Sequence, residues 1–297
     1  MIDLRRLQVL RVLAARGTVT AAAASLHLTP SAVSQQIRLL SGELDVELLS
    51  HEGRRVRLTP AAEALLAHAD DLHARWEETR AALAAFKDGE GGTLRVCGVS
   101  SAIAALVAPA AGALHDQGVE LRIAEEETKD CFDALLTGEA DIAVVLPTPD
   151  VPPADDPRFE PSFLLDDRLD LLVRRGHPLA RRRRIGLADA AGESWVVKAR
   201  DNDTYAVLLA ACAAAGFTPR IGHQVKEWYA VSATVAAGLG VCLLPRMVPI
   251  PAAHPVRRLT LAGEPRPSRR ISAYVRRGSA GHPVVARGLA ALRAVSG

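Results

Sequence analysis

Cysteine is scarce in this chain and scattered. Cys97, Cys131, Cys212 and Cys242 form no C-x-x-C and no cluster with histidine. That spacing argues against a metal site and reads as reduced thiols in a core. The usual marks of nucleotide and acyl chemistry are also missing. There is no G-x-S-x-G, no P-loop and no G-x-G-x-x-G after a strand. His115 and His223 belong to no catalytic pattern. The chain therefore reads as no enzyme and calls for no cofactor. Long apolar runs are absent from the N-terminus as well, where MIDLRRLQVLRVLAARG is broken by arginines. It is neither a signal peptide nor a membrane span, so the expectation is a cytoplasmic protein with no membrane partner. Low-complexity sequence is confined to the arginines at 181–184, read as a solvated loop.

A length of 297 residues is long for one core and implies two or three compact units. The net charge is only +2 and is unevenly placed. Residues 1–58 carry eight arginines against five acids. An anionic partner for the basic end follows as an expectation.

The first 58 residues predict three short helices and a hairpin. Residues 3–15 place Leu7, Leu10, Leu13 and Ala14 on one face, and Gly17 stops the helix. Thr18 can cap TVTAAAASL, and Thr29-Pro30 is a cap followed by proline at the first helical position. Short helices with tight connections read as a helix-turn-helix. VELLSHEGRRVRL then has two extended runs around Glu52-Gly53, a wing with Arg54 and Arg55 near its tip. Thr59-Pro60 restarts a helix to about residue 87. Its seam of Leu65, Ala69, Leu72, Trp76, Thr79, Leu83 and Phe86 steps by fours and threes. A lone helix would expose that seam, so pairing with a second copy is expected, with packing on its own domain as the competing reading.

Residues 29–44 hold two stripes. Val33, Ile37, Leu40 and Leu44 make a buried one; Ser31, Ser34, Gln35 and Arg38 make the other. The polar face has hydroxyls at the helix start, then an amide, then an arginine. That order suits a phosphate near the helix N-terminus and base edges beside it. Glutamine pairs with adenine and arginine with guanine, while Arg54 and Arg55 reach backbone phosphate. A plain polar surface is the competing reading.

After the linker 88–92, DGEGG, strands alternate with helices: TLRVCGV, a helix, VELRIAEEE, a helix, DIAVVL. A second set follows, with LDLLVRR, TPRIGHQV, VCLLP and ISAYVRR between helices at about 204–215, 229–239 and 283–295. This alternation predicts a parallel α/β sheet. Strand-to-helix junctions supply cleft candidates. Ser100 and Ser101 follow the first strand, and Thr128 the second. Asn202 and Thr204 lie in the 201–204 run, where a helix cap is the alternative role. Val225 and Glu227 follow a later strand. The expected mouth has hydroxyls on one lobe and carboxylates on the other, fitting an amino acid or another polar metabolite with an amine.

The stretches TVTAAAASLHLTPSAVSQQIRLLSGELDVELL and GRRVRLTPAAEALLAHA resemble the LysR-type transcriptional regulators, and LLTGEADIAVV, RRGHPL and VAAGLGVCLLP resemble their ligand-binding half. The resemblance covers essentially the whole chain. It implies an α+β multidomain protein. Residues 1–58 are the winged helix-turn-helix, with Thr29, Pro30, Ser31, Ser34, Gln35, Arg38, Arg54 and Arg55 toward DNA. Residues 59–88 are the dimerising linker helix, and 93–297 a two-lobed effector domain like a periplasmic binding protein. Lobe I is then 93–163 with 267–297, and lobe II 164–266. It also implies double-stranded promoter DNA with an inverted repeat, homodimers or homotetramers, RNA polymerase as a further partner, and effector contacts near Ser100, Thr128, Asn202 and Val225. Asp45, Glu47, Leu49, His51 and Ala62 depart from the family's usual glycine, arginine, phenylalanine, arginine and glycine. The acidic changes weaken phosphate attraction. A solute-binding protein, the first rival reading, would need a secretion signal and no helix-turn-helix.

Overall fold

The computed structural model describes residues 3–52, 55–84, 86, 91–146, 148, 151–153, 155–198, 203–263 and 266–297. Local caps set the first three helices. Helix α1 (Leu4–Arg16) starts at Asp3, whose carboxylate accepts from the Arg5 N–H, and ends at left-handed Gly17. Helix α2 (Val19–Ser25) is capped by Thr18, and α3 (Pro30–Leu44) by Thr29, which accepts from the Ala32 N–H at 3.2 Å. Leu7, Leu10, Leu13, Ala22, Val33, Ile37 and Leu40 bury together, so both predicted apolar stripes meet in one core. The wing is an antiparallel hairpin, β1 (Leu49–Glu52) with β2 (Arg55–Leu58). Arg54 lies outside the described residues. Thr59 then accepts from the Ala62 N–H and donates to the Glu47 carbonyl, which starts the linker helix α4 (Pro60–Ala84).

Helix α4 is 25 residues long, about 37 Å at 1.5 Å per residue. Its sides have different partners. Ala62 and Ala69 are buried in the core of the first three helices, with Leu65 packed half-buried beside them. Ala74, Glu77 and Ala81 are buried farther along. Leu72, Trp76 and Leu83 are exposed by 55, 50 and 57%. The predicted seam is therefore split. Ala69, at 1% exposure, is filled by its own chain and has no surface left for a second copy. The reason is that α1 crosses the first half of α4, where the Arg11–Asp70 ion pair at 2.6 Å fixes the crossing.

The remaining chain builds two lobes from β3 (Thr93–Gly98), α5 (Ser100–Ala102), a π turn at Ile103–Val107, α6 (Ala108–His115), β4 (Glu120–Glu125), α7 (Thr128–Thr137), β5 (Ile142–Val145), β6 (Phe159–Arg174), β7 (Ser194–Val197), α8 (Asp203–Ala214), β8 (Arg220–Gln224), α9 (Trp228–Ala236), β9 (Cys242–Pro245), β10 (Val256–Leu259), β11 (Ser268–Arg276) and α10 (Pro283–Ser296). The sheet is mixed and not the wholly parallel one predicted. Strands β4, β3 and β5 run parallel, but β11 is antiparallel to β5, and β6 is antiparallel to β11, β9 and β10. The returning strands β6 and β11 cross between lobes and so reverse direction. Pairing of β6 passes from β11 to β9 at Leu169. All four residues of β5 are buried, as expected for a strand covered on both faces. Separate cores form around Leu94, Ile142 and Leu289 in one lobe and around Leu171, Trp195 and Leu243 in the other.

Candidate functional site

The polar stripe of α3 faces outward as its spacing required. Ser31, Gln35 and Arg38 are exposed and Ser34 half-exposed, while Val33, Ile37 and Leu40 are buried beneath them. Thr29 and Ser31 hydroxyls meet at 3.0 Å, and Ser34 donates to the Pro30 carbonyl at 3.0 Å. Gln35 and Arg38 have no hydrogen-bond or ionic partner among the described residues. A preorganised helix start carries the hydroxyls, with free amide and guanidinium groups one turn on. Such a face can seat a phosphate and read base edges. The Arg55 backbone lies in the wing strand β2. Asp45 occupies the left-handed cap of α3 at φ 53°, a conformation glycine adopts without strain.

The second site is a cleft of about 600 Å³. Its walls are the carboxyl ends of parallel strands and the helices that follow them, the place where open α/β sheets bind ligands. From one lobe come Ser100 and Ser101 after β3, Glu125 at the end of β4, and Glu127 and Thr128 after it. From the other come Lys198 after β7, and Lys226, Glu227 and Trp228 after β8. The floor is Arg269 on β11. It is 2% exposed, lies 3.0 Å from Asp167 on β6 and donates to the Ser101 hydroxyl at 3.1 Å. Burial pushes the Asp167 carboxyl up, opposed in part by Arg269 and by the Met247 N–H. Lys198 sits 5.1 Å from the centre of the Trp228 ring, a cation–π contact that stiffens the opposite wall.

Four of the seven predicted cleft residues line it: Ser100, Ser101, Thr128 and Glu227. Thr204 is buried at 5% exposure in α8 and is not among the lining, and Val225 packs into the apolar core beside Trp228 instead. Asn202 lies outside the described residues. The wall polarity also differs from expectation. The hydroxyl wall carries most of the carboxylates, Glu125, Glu126, Glu127 and Asp130, whereas the facing wall carries Lys198 and Lys226. The reason lies in the strand ends. Strand β4 runs out into EEET, and β7, whose short SWVV run was not recognised in the sequence, runs out into lysine. Arg269 was missed as well. Its signals are long-range pairings, with Asp167 102 positions away and with Ser101 168 positions away.

These two sites define a class: a protein with a winged helix-turn-helix at one end and a ligand cleft between two α/β lobes at the other. Comparison with known proteins names it. Residues 4–63 match the bacterial regulatory helix-turn-helix protein, lysR family, and residues 87–297 match the LysR substrate binding domain. The chain belongs to the LysR family and is a DNA-binding transcriptional regulator with an effector-binding domain. It is 27% identical over 245 residues to the transcriptional dual regulator GltC of Bacillus subtilis, covering 82% of this chain and 80% of that one. It is 29% identical over 250 residues to the HTH-type transcriptional regulator MetR of Escherichia coli K12, covering 84% and 76%. In fold it is similar to a full-length OxyR variant from Pseudomonas aeruginosa, with TM-score 0.69, 22% identity, and 100% and 97% of the chains covered. Full-length CbnR complexed with its target DNA aligns with TM-score 0.59, 22% identity, and 99% and 100% covered. No helix among the described residues is long and apolar enough to cross a membrane.

Proposed function

We propose that this regulator acts as a dimer, or a tetramer built from dimers, that reads an inverted repeat in promoter DNA under the control of an amine-bearing acid in its cleft. The observation that carries the DNA reading is the α3 face, where Gln35 and Arg38 are exposed and, among the described residues, unpaired beside the Thr29–Ser31 helix start. Each protomer presents one such helix, and a two-fold axis sets two of them in successive major grooves. Residues 1–58 read the DNA, 59–88 pair protomers, and 93–297 sense the ligand. Pairing uses Leu72, Trp76 and Leu83, which leave an apolar stripe on α4 facing solvent. Leu65 borders that stripe. Arg54 and Arg55 hold the DNA backbone from the wing. RNA polymerase is the partner that bound promoter DNA brings near. The protein works in the cytoplasm and performs no catalysis.

The cleft supports a zwitterion. Arg269 on the floor, joined to Ser101, and Thr128 in the wall suit a carboxylate, and the acid-rich wall at 125–130 suits an ammonium group. Differential affinity for the open and closed lobes then shifts how the assembly holds DNA. Two titrations test this. A labelled duplex bound over a salt series has a log–log slope that falls by about 1 in Arg38→Ala if Arg38 meets phosphate, whereas a change confined to particular sequences marks base reading. A thermal-shift panel of the proteinogenic amino acids finds stabilising ligands in the wild type that Thr128→Val does not bind. Stabilisation by di- or tricarboxylates alone, and never by amines, contradicts the zwitterion reading.

A further inference from the structure

Helix α7 has its two ends in different functional places. Its first turn, Thr128 and Asp130, lines the cleft. Its middle, its last turn and the turn beyond it hold the DNA-binding unit. Arg16 of α1 places Nη1 2.5 Å from Asp133 and 3.8 Å from Asp130. The Gln8 amide donates to the Leu136 carbonyl, one of the acceptors that a helix C-terminus leaves without an internal partner. His27, in the turn between α2 and α3, meets Glu139 at 2.9 Å. The linker helix reaches the same end. Glu77 of α4 lies 3.6 Å from Arg276, and Arg276 donates to the carbonyls of Leu135 and Ala140 at 3.0 and 2.6 Å. The ten residues of α7, about 15 Å, therefore carry both the cleft's lining and the contacts to the docked helix-turn-helix.

Two side chains give the coupling its sign. Asp130 is shared, because it faces the cleft and also attracts Arg16. A ligand ammonium that engages Asp130 competes with Arg16. Glu139 stands beside His27, two residues before the Thr29 cap of the recognition helix. A phosphate seated at that helix start brings negative charge toward this carboxylate. We propose that the seating of α1 and the α2–α3 turn on α7 is a holding state, released both by a cationic ligand group at Asp130 and by DNA at α3. Ligand and DNA then favour each other's binding by the same factor, since coupling between sites is reciprocal. The ligand half of this proposal rests on the reading of the cleft as an amine site; the docking half does not.

The test uses the full chain as wild type, Arg16→Gln and Asp133→Asn, with a random 30-bp duplex as the DNA probe. Simple electrostatics makes Arg16→Gln bind DNA more weakly, because it removes a positive charge from the DNA-binding unit. Release from the holding state makes it bind about fivefold or more tightly, a typical coupling factor. Asp133→Asn does the same without touching the DNA-binding unit. In both variants the α7 amides at 132–138 exchange hydrogen faster, while those of α9 across the cleft do not change. Wild-type duplex affinity and wild-type α7 exchange in both variants overturn the proposal. Any amino acid that stabilises the protein is next titrated with and without the duplex. Tighter binding with DNA in the wild type, lost in Asp133→Asn, is the expected result; equal binding overturns the coupling. If no amino acid binds, the zwitterion reading fails, and affinity and exchange still decide the docking.

Discussion

The linker helix approaches the effector domain most tightly at a glycine, whose replacement has a calculable effect. Gly278 lies in the turn after β11 at φ 83°, and its N–H donates to Glu160 at 2.8 Å. A Cβ there would stand 2.3 Å from the Ala74 carbonyl oxygen of α4. Carbon and oxygen approach to about 3.3 Å at closest, so the helix must withdraw by about 1 Å. The left-handed backbone costs alanine about 1–2 kcal/mol, and forced overpacking adds about 1–3. Gly216 is the matched control. Its φ is also 83°, and a Cβ there meets nothing within 4 Å. Gly216→Ala therefore loses only the backbone cost, and Gly278→Ala loses about 1–3 kcal/mol more. Urea unfolding of both variants, compared at the first transition, measures the difference. Equal losses would refute the claim that α4 packs against the turn at 276–281.

Three further outcomes follow from local chemistry. Burial, with Arg11 adding repulsion, pulls the His73 pKa from 6.5 down to about 4, so the folded chain binds fewer protons than the unfolded chain between these values. Its contribution to stability is complete above pH 6.5 and is lost as pH falls toward 4. The full shift corresponds to about 3 kcal/mol, and about 1–2 after allowance for partial solvent access. His73→Gln flattens the stability curve between pH 4 and 6.5, as pH-dependent denaturation would record. Asp45→Gly relieves the left-handed cap of α3 and removes a charge near the wing, raising stability by about 1 kcal/mol and tightening random-duplex binding, both measurable by melting and anisotropy. All four cysteines are buried free thiols, and burial pushes Cys212 and Cys242 up to about 12. A thiol-reactive dye therefore labels none of them in the native protein within minutes, and all four after unfolding.

Short-range rules reached the helical half well. Caps at Thr18 and Thr29 and the Val33, Ile37, Leu40 stripe are local patterns, and each is formed by residues within a turn or two of one another. Long-range geometry escaped. The first half of β6, FEPSFLLDDR, has an early proline and paired acids and does not alternate like a strand; its pairing with β11 decides it. Ala69 fits a heptad as well as Leu72 does, and only the crossing of α1 separates them. Ser101 and Thr128 were legible because strand-to-helix junctions mark a cleft edge. Arg269 was not, because a floor residue in mid-strand announces itself through partners distant in sequence, Asp167 and Ser101.

The central claim is that α3 reads bases. Selection of genomic fragments by the purified protein at near-physiological salt, with Gln35→Ala run in parallel, tests it most directly. Enrichment of a few fragments that share an inverted repeat, with the preference lost in Gln35→Ala while overall duplex affinity changes little, is the predicted result. Enrichment identical in the two proteins would contradict the assignment of Gln35 as a base-reading side chain.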